Sequence, residues 1–151
     1  MSRIIDPHSL AETLSGIISE KHQISKLYVD LTIGKLYRVK TGGHLDFGGS
    51  EFEAGSLEPC LPVKKEPEDS YGWWELHEGY FLIEYNEHFR LPENRIAIVQ
   101  PHSHLLASGC SHITLTTPVI DNDFRVPLWI PKIGIHIKEN ARVSSAMILE
   151  F

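Results

Sequence analysis

The most specific signal for the fold is the stretch Val119-Ile120-Asp121-Asn122-Asp123-Phe124-Arg125. Two carboxylates and an amide stand here between apolar residues, which is typical of a turn between strands whose polar side chains cap backbone amides. The same carboxylates are suited to activating water or holding a divalent cation. The turn therefore has both a structural and a catalytic interpretation, and the surrounding sequence bears on both.

Strand-like segments surround this turn on both sides. Each is rich in β-branched or aromatic residues and is bounded by Gly, Pro, Asn or Asp. Many short strands with little helix predict an all-β barrel or sandwich. The strands are expected at Leu27–Ile33, ended by Gly34, and then at Trp73–Leu76, Gly79–Tyr85, Arg95–Gln100, Ser111–Thr116, Arg125–Ile130, Gly134–Ile137 and Arg142–Phe151.

One helix is expected near the N-terminus. Asp6 can cap it, and Pro7 suits the first helical position because no hydrogen-bonded amide is lost there. Apolar residues then follow at i, i+4, i+7 and i+8, which places them on one face of a helix. These residues are Leu10, Leu14, Ile17 and Ile18.

The length of the chain bounds its organisation. With 151 residues the chain has the size of one compact domain, and we expect a single domain over residues 1–151. Residues 41–70 contain paired glycines followed by a segment rich in Pro, Glu and Lys. This composition predicts hairpin turns and a mobile loop inserted in the domain.

Charge and cysteine usage exclude several function classes. The chain has 14 basic and 20 acidic residues, a net charge of -6, which does not favour binding to a nucleic-acid polymer. No stretch approaches the about 20 apolar residues of a membrane span, and Met1–Ile5 lacks the layout of a signal peptide. Cys60 and Cys110 form no CxxC pair, which fits a reducing compartment. We expect a cytoplasmic protein that does not bind membranes.

The order of these segments resembles the dUTPase and dCTP deaminase superfamily over most of the chain. Tyr28–Gly34 is similar to the first family motif in its deaminase form, and Glu87–Pro92 resembles the stretch that leads to a Leu-Pro turn. Val119–Arg125 resembles the third motif, Gly-Val-Ile-Asp-x-Asp-Tyr-Arg-Gly in dUTPases. The resemblance implies a distorted dUTPase-like β-barrel and a homotrimer with sites between subunits.

The resemblance also implies roles for individual residues. Asp121 would orient the attacking water, and Phe124 would pack beside the deoxyribose. Asp30 and Asp123 are the nearest carboxylates for Mg²⁺, which needs only one or two when substrate phosphates supply further oxygens. The implied substrate is a deoxyribonucleoside triphosphate, dUTP in the first place, which would be hydrolysed to dUMP and pyrophosphate.

The second and fourth family motifs are altered in this chain. In the family the second motif supplies hydroxyl, amide and guanidinium donors to the phosphates. Ser103 is retained and is expected on a phosphate, whereas His102 stands in place of an Arg and His104 in place of a Ser. Both histidines are candidate substrate-binding residues. These imidazoles carry positive charge only when protonated, and near neutral pH an unshifted imidazole is mostly neutral. In the fourth motif Arg142 is retained and is a further candidate substrate-binding residue, but the family's Gln falls at Ser145.

Two further departures bear on the activity. No residue follows Phe151, so the Gly-rich arm that closes over the nucleotide in many dUTPases is expected to be absent. Deaminases place a Glu in the strand after the third motif, and Val126–Pro131 contains no carboxylate. Cytosine deamination therefore ranks last among the family activities, and a non-catalytic or repurposed homologue is the alternative to a dUTP hydrolase.

Another class of function is open at His102 and His104. On a strand, alternating residues point to one face, so this His-x-His pair predicts a metal-binding β-barrel if further ligands are near. The candidates for those ligands are His112, His136 and Glu84. The competing interpretation is that these are ordinary surface or partly buried histidines.

Aromatic and basic residues after the polar loop allow two interpretations each. Tyr71, Trp73 and Trp74 can form a shelf for base stacking, or they can bury against the barrel wall or a subunit neighbour. Lys64 and Lys65 can reach phosphates, or they can form a solvated pair in an acidic loop. For both sets the sequence favours the second interpretation.

Overall fold

The computed structural model describes residues 1–151, and most of its regular structure is β-strand. The helical segments are a 3₁₀ helix (Pro7–Thr13), α1 (Glu20–Gln23) and α2 (Ser103–Ala107). The strands are β1 (Arg3–Ile5), β2 (Val29–Thr41), β3 (Ser56–Cys60), β4 (Trp73–Leu76), β5 (Gly79–Tyr85), β6 (Phe89–Arg90), β7 (Arg95–Pro101), β8 (Ser111–His112), β9 (Leu115–Thr117), β10 (Val119–Ile120), β11 (Val126–Ile130), β12 (Ile135–Lys138) and β13 (Arg142–Glu150). The predicted all-β fold is confirmed.

A curled nine-stranded antiparallel sheet forms the body of the fold. Its order is β8-β11-β5-β2-β13-β7-β9, with β1 paired to β13 and β3 paired to β2. Two small ribbons, β6 with β10 and β4 with β12, complete the structure. The register of the central strands places Ser145 of β13 opposite both Asp30 of β2 and Gln100 of β7. Polar residues distant in sequence thus meet where these strands pair.

The core lies against the inner face of this sheet. In β11 the apolar residues Val126, Leu128 and Ile130 are buried, while Pro127 and Trp129 point outward. This period of two is what a half-buried strand requires. No helix has the length and apolar character needed to cross a membrane.

The N-terminal helix begins where predicted but is shorter than predicted. The Asp6 carboxylate accepts a hydrogen bond from the backbone amide of His8 at 3.0 Å, and the helix ends at Thr13. It cannot continue through Ile18 because Gly16 adopts a φ of 80° and Ser15 pairs with His88. Ile18 is consequently exposed.

The predicted end of the first long strand at Gly34 is wrong. β2 continues to Thr41, and the register shifts between Ile33 and Lys35. A Cβ on Gly34 would approach Asn86 Oδ1 to 2.5 Å, so the glycine permits a close crossing at an irregularity of the strand. The extended β2 then pairs with β3 in a hairpin.

Two local assignments around the second motif also change. The expected strand Ser111–Thr116 is divided into β8 and β9. His102 and His104 do not alternate along a strand, because β7 ends at Pro101 and His102 caps α2. The prediction that the two imidazoles point to one face of a strand and form a His-x-His metal pair is therefore wrong.

Candidate functional site

A polar cavity of about 480 Å³ lies where α1, the start of β2, the end of β7 and β13 converge. Four of the residues predicted as site residues line it, and so do two polar residues that the register of the sheet brings beside them. The six are Asp30, His102, Ser103, Arg142, Gln100 and Ser145. We call this space the Asp30 cavity.

Asp30 is the charged centre of the Asp30 cavity. Its Oδ1 accepts a hydrogen bond from the Ser145 hydroxyl at 2.7 Å, and its Oδ2 accepts one from Arg142 Nη1 at 3.2 Å. His102 Nε2 lies 3.3 Å from the same Oδ2. Since the carboxylate is only 15% exposed, these contacts compensate for much of its lost hydration.

His102 caps α2 and is not available as a cation for a ligand. Its Nδ1 accepts the backbone N–H of His104 at 3.0 Å, which requires this nitrogen to be unprotonated. Burial lowers the pKa of His102, and this outweighs the raising effect of Asp30. At neutral pH the imidazole is therefore neutral, so it does not replace the positive charge of a guanidinium at this position.

Arg142 and Ser103 offer hydrogen-bond donors to a ligand. Arg142 Nη1 donates to Asp30 and to the carbonyl oxygen of His22 at 2.9 Å, which leaves Nε and Nη2 without a partner in the chain. Ser103 is exposed at the first position of α2. A guanidinium and a hydroxyl facing the same space can bind phosphate oxygens.

A buried network supports the Asp30 cavity from below. Gln23 Nε2 donates to the carbonyl oxygen of Asp30 at 2.9 Å and to Glu87 Oε1 at 2.7 Å. Gln23 Oε1 accepts from the amides of Ile18 and Ser19. This network was not predicted from the sequence. One signal of it was present, since Glu87 stands at the next inward position of the period-two pattern of buried residues that runs through β5 and beyond it.

The third-motif turn lies outside the Asp30 cavity. Asp121 Oδ1 accepts the backbone N–H of Asp123 at 2.9 Å, as its structural interpretation as a turn predicts. The Phe124 ring stacks on Tyr85 with centroids 6.4 Å apart. None of Asp121, Asp123 and Phe124 lines the Asp30 cavity, so within one chain the predicted site residues form two separate groups.

His104 also lies outside the Asp30 cavity, with its ring 4.7 Å from that of His102. The further ligands considered for a His-x-His metal site have other partners. His112 contacts Ser144, His136 lies near Glu75, and Glu84 accepts from Tyr37 and Arg125. No group of three His, Cys, Asp or Glu side chains is positioned to hold a metal ion.

Several curated proteins are similar to this chain. It is 31% identical over 136 residues to a probable deoxyuridine 5'-triphosphate nucleotidohydrolase of Methanosarcina barkeri, and 29% identical over 136 residues to a protein of the same name from Methanosarcina mazei. Each alignment covers 86% of this chain and 74% of the relative. No protein-family model matches the chain.

One solved structure supports the fold. The crystal structure of 2'-deoxycytidine 5'-triphosphate deaminase from Agrobacterium tumefaciens superposes with a TM-score of 0.67 over 99% of this chain. The match spans 49% of the deaminase chain, about half its length, at 16% identity. At that identity the likeness concerns the fold alone.

Proposed function

The chain belongs to the dUTPase and dCTP deaminase superfamily, and from this premise we propose that it binds a deoxyribonucleoside triphosphate and hydrolyses it. The proposed substrate is dUTP, and the proposed products are dUMP and pyrophosphate. The observation that carries the proposal is the Asp30 cavity, in which Arg142 and Ser103 keep donors free beside a fixed carboxylate. The names of the two Methanosarcina relatives support the choice of dUTP.

The triphosphate would occupy the Asp30 cavity. Arg142 supplies guanidinium donors and Lys21 is a second cation that lines the cavity, whereas His102 is neutral at neutral pH. Ser103 adds a hydroxyl. Guanidinium nitrogens are suited to this because their planar fork matches phosphate oxygens. Ser145 stands where the family has Gln and is committed to Asp30, so it orients the carboxylate rather than the nucleotide.

We propose that a neighbouring copy in a homotrimer supplies the third-motif turn. The Asp30 cavity holds no residue of this turn, and a site built between subunits reconciles the two groups of predicted residues. In that arrangement Asp121 and Phe124 of one copy would face the Asp30 cavity of the next. The turn keeps its backbone conformation through the hydrogen bond within it, so Asp121 is held in place before any ligand binds.

The proposed reaction is attack of water on the α-phosphorus. Asp121 orients the water and accepts its proton, a new bond forms between the water oxygen and phosphorus, and the bond to the bridging oxygen breaks to release pyrophosphate.

Mg²⁺ would offset charge on the phosphates. Asp30 is the carboxylate in the Asp30 cavity that would hold it, and it fits the ion only together with phosphate oxygens because its own oxygens already contact Arg142 and Ser145. Asp123 of the neighbouring turn is the second proposed carboxylate.

A non-catalytic or repurposed homologue is the second candidate. It is favoured by one specific observation, that the second motif supplies a neutral, buried His102 where the family uses a cation. Such a protein would bind the nucleotide without releasing pyrophosphate.

We further propose that the chain forms a single domain and that the protein is located in the cytoplasm. The free thiols of Cys60 and Cys110 support the cytoplasmic location.

A substrate panel tests the activity. The protein is incubated with Mg²⁺ and dUTP, dCTP, dTTP or UTP, and pyrophosphate and ammonia are measured separately. We expect pyrophosphate from dUTP and no ammonia from dCTP. A thermal shift with a nonhydrolysable dUTP analogue, but no pyrophosphate from any nucleotide, selects the non-catalytic homologue. Ammonia from dCTP contradicts both.

Mixing two inactive variants tests the shared site. Asp121→Asn removes the proposed base but keeps the turn, and Arg142→Gln removes the proposed phosphate donor. If neighbouring copies build the site, unfolding and refolding equal amounts of the two together restores about a quarter of the activity, because one interface in four joins the two intact halves. No recovery in a mixture that assembles as a trimer contradicts the shared site.

A further inference from the structure

A second cavity of about 510 Å³ lies between β4, β12 and the segment after β3. It shares no residue with the Asp30 cavity. Its volume is within the range of pockets that take small molecules, about 300 to 1,000 Å³. We call it the Trp73 cavity, because Trp73 lies on its wall and is only partly buried.

Aromatic and apolar side chains form the wall of the Trp73 cavity. Trp74 is buried and its Nε1 donates to the carbonyl oxygen of Cys60 at 2.7 Å, so its ring orientation is fixed. Phe81 is also buried, whereas Leu61 and Val63 expose most of their side chains at the rim. A rigid aromatic wall with an exposed apolar rim favours a flat apolar group as its occupant.

Three cations line the same space without a carboxylate partner. Arg38, Lys64 and Lys65 line the Trp73 cavity, and none of them forms an ion pair in the chain. Two of these cations instead lie over aromatic rings. Lys65 Nζ is 4.2 Å from the ring centroid of Trp73, and Arg38 Cζ is 5.5 Å from the ring centroid of Phe81. These contacts leave the positive charges unneutralised.

Only one acidic side chain lines the cavity beside these cations, although the loop after Lys65 is itself acidic. Glu75 is the one carboxylate that lines the Trp73 cavity, and it lies 3.7 Å from His136. The chain as a whole is acidic, with a net charge of -6. A local excess of cations in an acidic protein is the charge pattern expected of a site that attracts an anion.

We propose that the Trp73 cavity binds a small anion that carries an aromatic ring, as a ligand site separate from the nucleotide site. The ring packs against Trp73 and the apolar rim, and a phosphate or carboxylate group lies between Lys65, Lys64 and Arg38. Both parts are needed, because exposed cations alone bind anions weakly and the apolar wall alone does not select for charge. This site does not depend on the proposed hydrolysis of dUTP.

Four probes test the chemistry of the Trp73 cavity in the full chain. They are 1-naphthyl phosphate, 1-naphthoate, uncharged 1-naphthol and inorganic phosphate. Binding is followed by NMR through the indole N–H signals of the three tryptophans, of which Trp129 lies outside the cavity and serves as an internal control. We expect the two aromatic anions to shift the signals of Trp73 and Trp74 but not Trp129, and their relative affinities tell phosphate from carboxylate.

The other two probes, naphthol and inorganic phosphate, test whether the ring and the charge are both needed. Naphthol and inorganic phosphate should bind at least about tenfold more weakly than naphthyl phosphate, because each lacks one of the two features. Equal binding of naphthol and naphthyl phosphate overturns the proposal, since charge would then play no part. Unshifted Trp73 and Trp74 signals with all four probes also overturn it.

Charge-reversal variants locate the binding. Lys65→Glu should weaken naphthyl phosphate binding about fivefold to tenfold, because it replaces attraction by repulsion at an exposed position. Lys132→Glu is the matched control, since Lys132 is exposed and lies outside the cavity. Arg142→Gln removes a cation from the Asp30 cavity and should leave naphthyl phosphate binding unchanged. Weakening by Arg142→Gln but not by Lys65→Glu would assign the anion to the Asp30 cavity and overturn the proposal.

Discussion

Glu87 accepts two hydrogen bonds from Thr32, one from its backbone amide at 2.8 Å and one from its hydroxyl at 2.5 Å. The carboxylate is fully buried, and Gln23 adds a third donor at 2.7 Å. Burial raises the pKa of Glu87, while the bonds from Thr32 and Gln23 lower it. This pairing ties β2, at the residues just after Asp30, to the segment after β5, and through Gln23 it also holds α1.

Replacing Glu87 by Gln is expected to destabilise the protein. The Gln side chain keeps one acceptor oxygen and turns an amide donor toward groups that are themselves donors, so a buried N–H is left unpaired. We expect a loss of about 1 to 3 kcal/mol in the free energy of unfolding, measured by urea denaturation. Glu93→Gln, at an exposed position, is the control and should change stability by less than about 0.5 kcal/mol. Equal effects of the two substitutions would contradict the role of Glu87.

Two glycines should differ sharply when each is replaced by Ala. Gly16 has a φ of 80°, and a Cβ there would lie 2.0 Å from the carbonyl oxygen of Asn86. Gly48 has no such backbone conformation, and its Cβ would meet open space. We expect Gly16→Ala to lower the melting temperature clearly, at a cost of about 1 to 3 kcal/mol, and Gly48→Ala to leave it nearly unchanged. A stable Gly16→Ala variant would show that Ser15 does not need its pairing with His88.

Stability should fall as the pH is lowered below about 6.5, partly because of His112. Its Nδ1 contacts the carbonyl oxygen of Ile113 at 2.8 Å and its Nε2 contacts the Ser144 hydroxyl at 2.7 Å. Burial lowers the pKa of His112 below its unfolded value of 6.5, so the unfolded chain binds protons more readily as the pH falls. The resulting stability is fully present above that value and is lost progressively below it.

The variant His112→Gln checks this assignment. It should be less stable than the wild type at pH 7.5, and its stability should depend less on pH between about pH 7 and 5. Chemical denaturation at several pH values measures both quantities. His77→Gln, at an exposed histidine, should keep the wild-type pH dependence. An unchanged slope in His112→Gln would show that another group controls acid destabilisation.

Asp121→Asn should separate activity from folding. An Asn oxygen can still accept the amide of Asp123, so the turn is preserved, but the amide cannot accept a proton from water. We expect pyrophosphate release from dUTP to fall by about 100-fold or more, with the melting temperature within a few degrees of the wild type. Pyrophosphate assay and calorimetry measure the two effects. Undiminished turnover would reject Asp121 as the proposed base.

Arg142→Gln should remove most of the stabilisation by nucleotide. With a nonhydrolysable dUTP analogue and Mg²⁺, the wild type should show a thermal shift, and the variant should need at least about tenfold more analogue for the same shift. Arg90→Gln is the control, since Arg90 is exposed on β6 and lies outside the Asp30 cavity. Comparable shifts in all three proteins would exclude Arg142 as a phosphate donor.

Features that depend on neighbours along the chain could be predicted from the sequence. β4 and β5 have the predicted bounds, because alternation of buried and exposed residues is visible within four to seven positions. The start of the N-terminal helix at Asp6 and Pro7 follows from capping chemistry that involves adjacent residues. The third-motif turn is likewise local, which is why Asp121 and Asp123 form the hydrogen bond that their composition predicts.

Features that depend on pairing between distant segments could not be predicted from the sequence. The sequence determined an all-β chain with family motifs in order, but only the tertiary structure set Asp30 opposite Ser145, buried His102 as a helix cap, and separated both from the third-motif turn. The physical reason is that the register between strands depends on which faces of the whole sheet are buried, and not on the residues that flank each strand. The close crossing at Gly34 and the hydrogen bonds to Glu87 belong to that long-range packing.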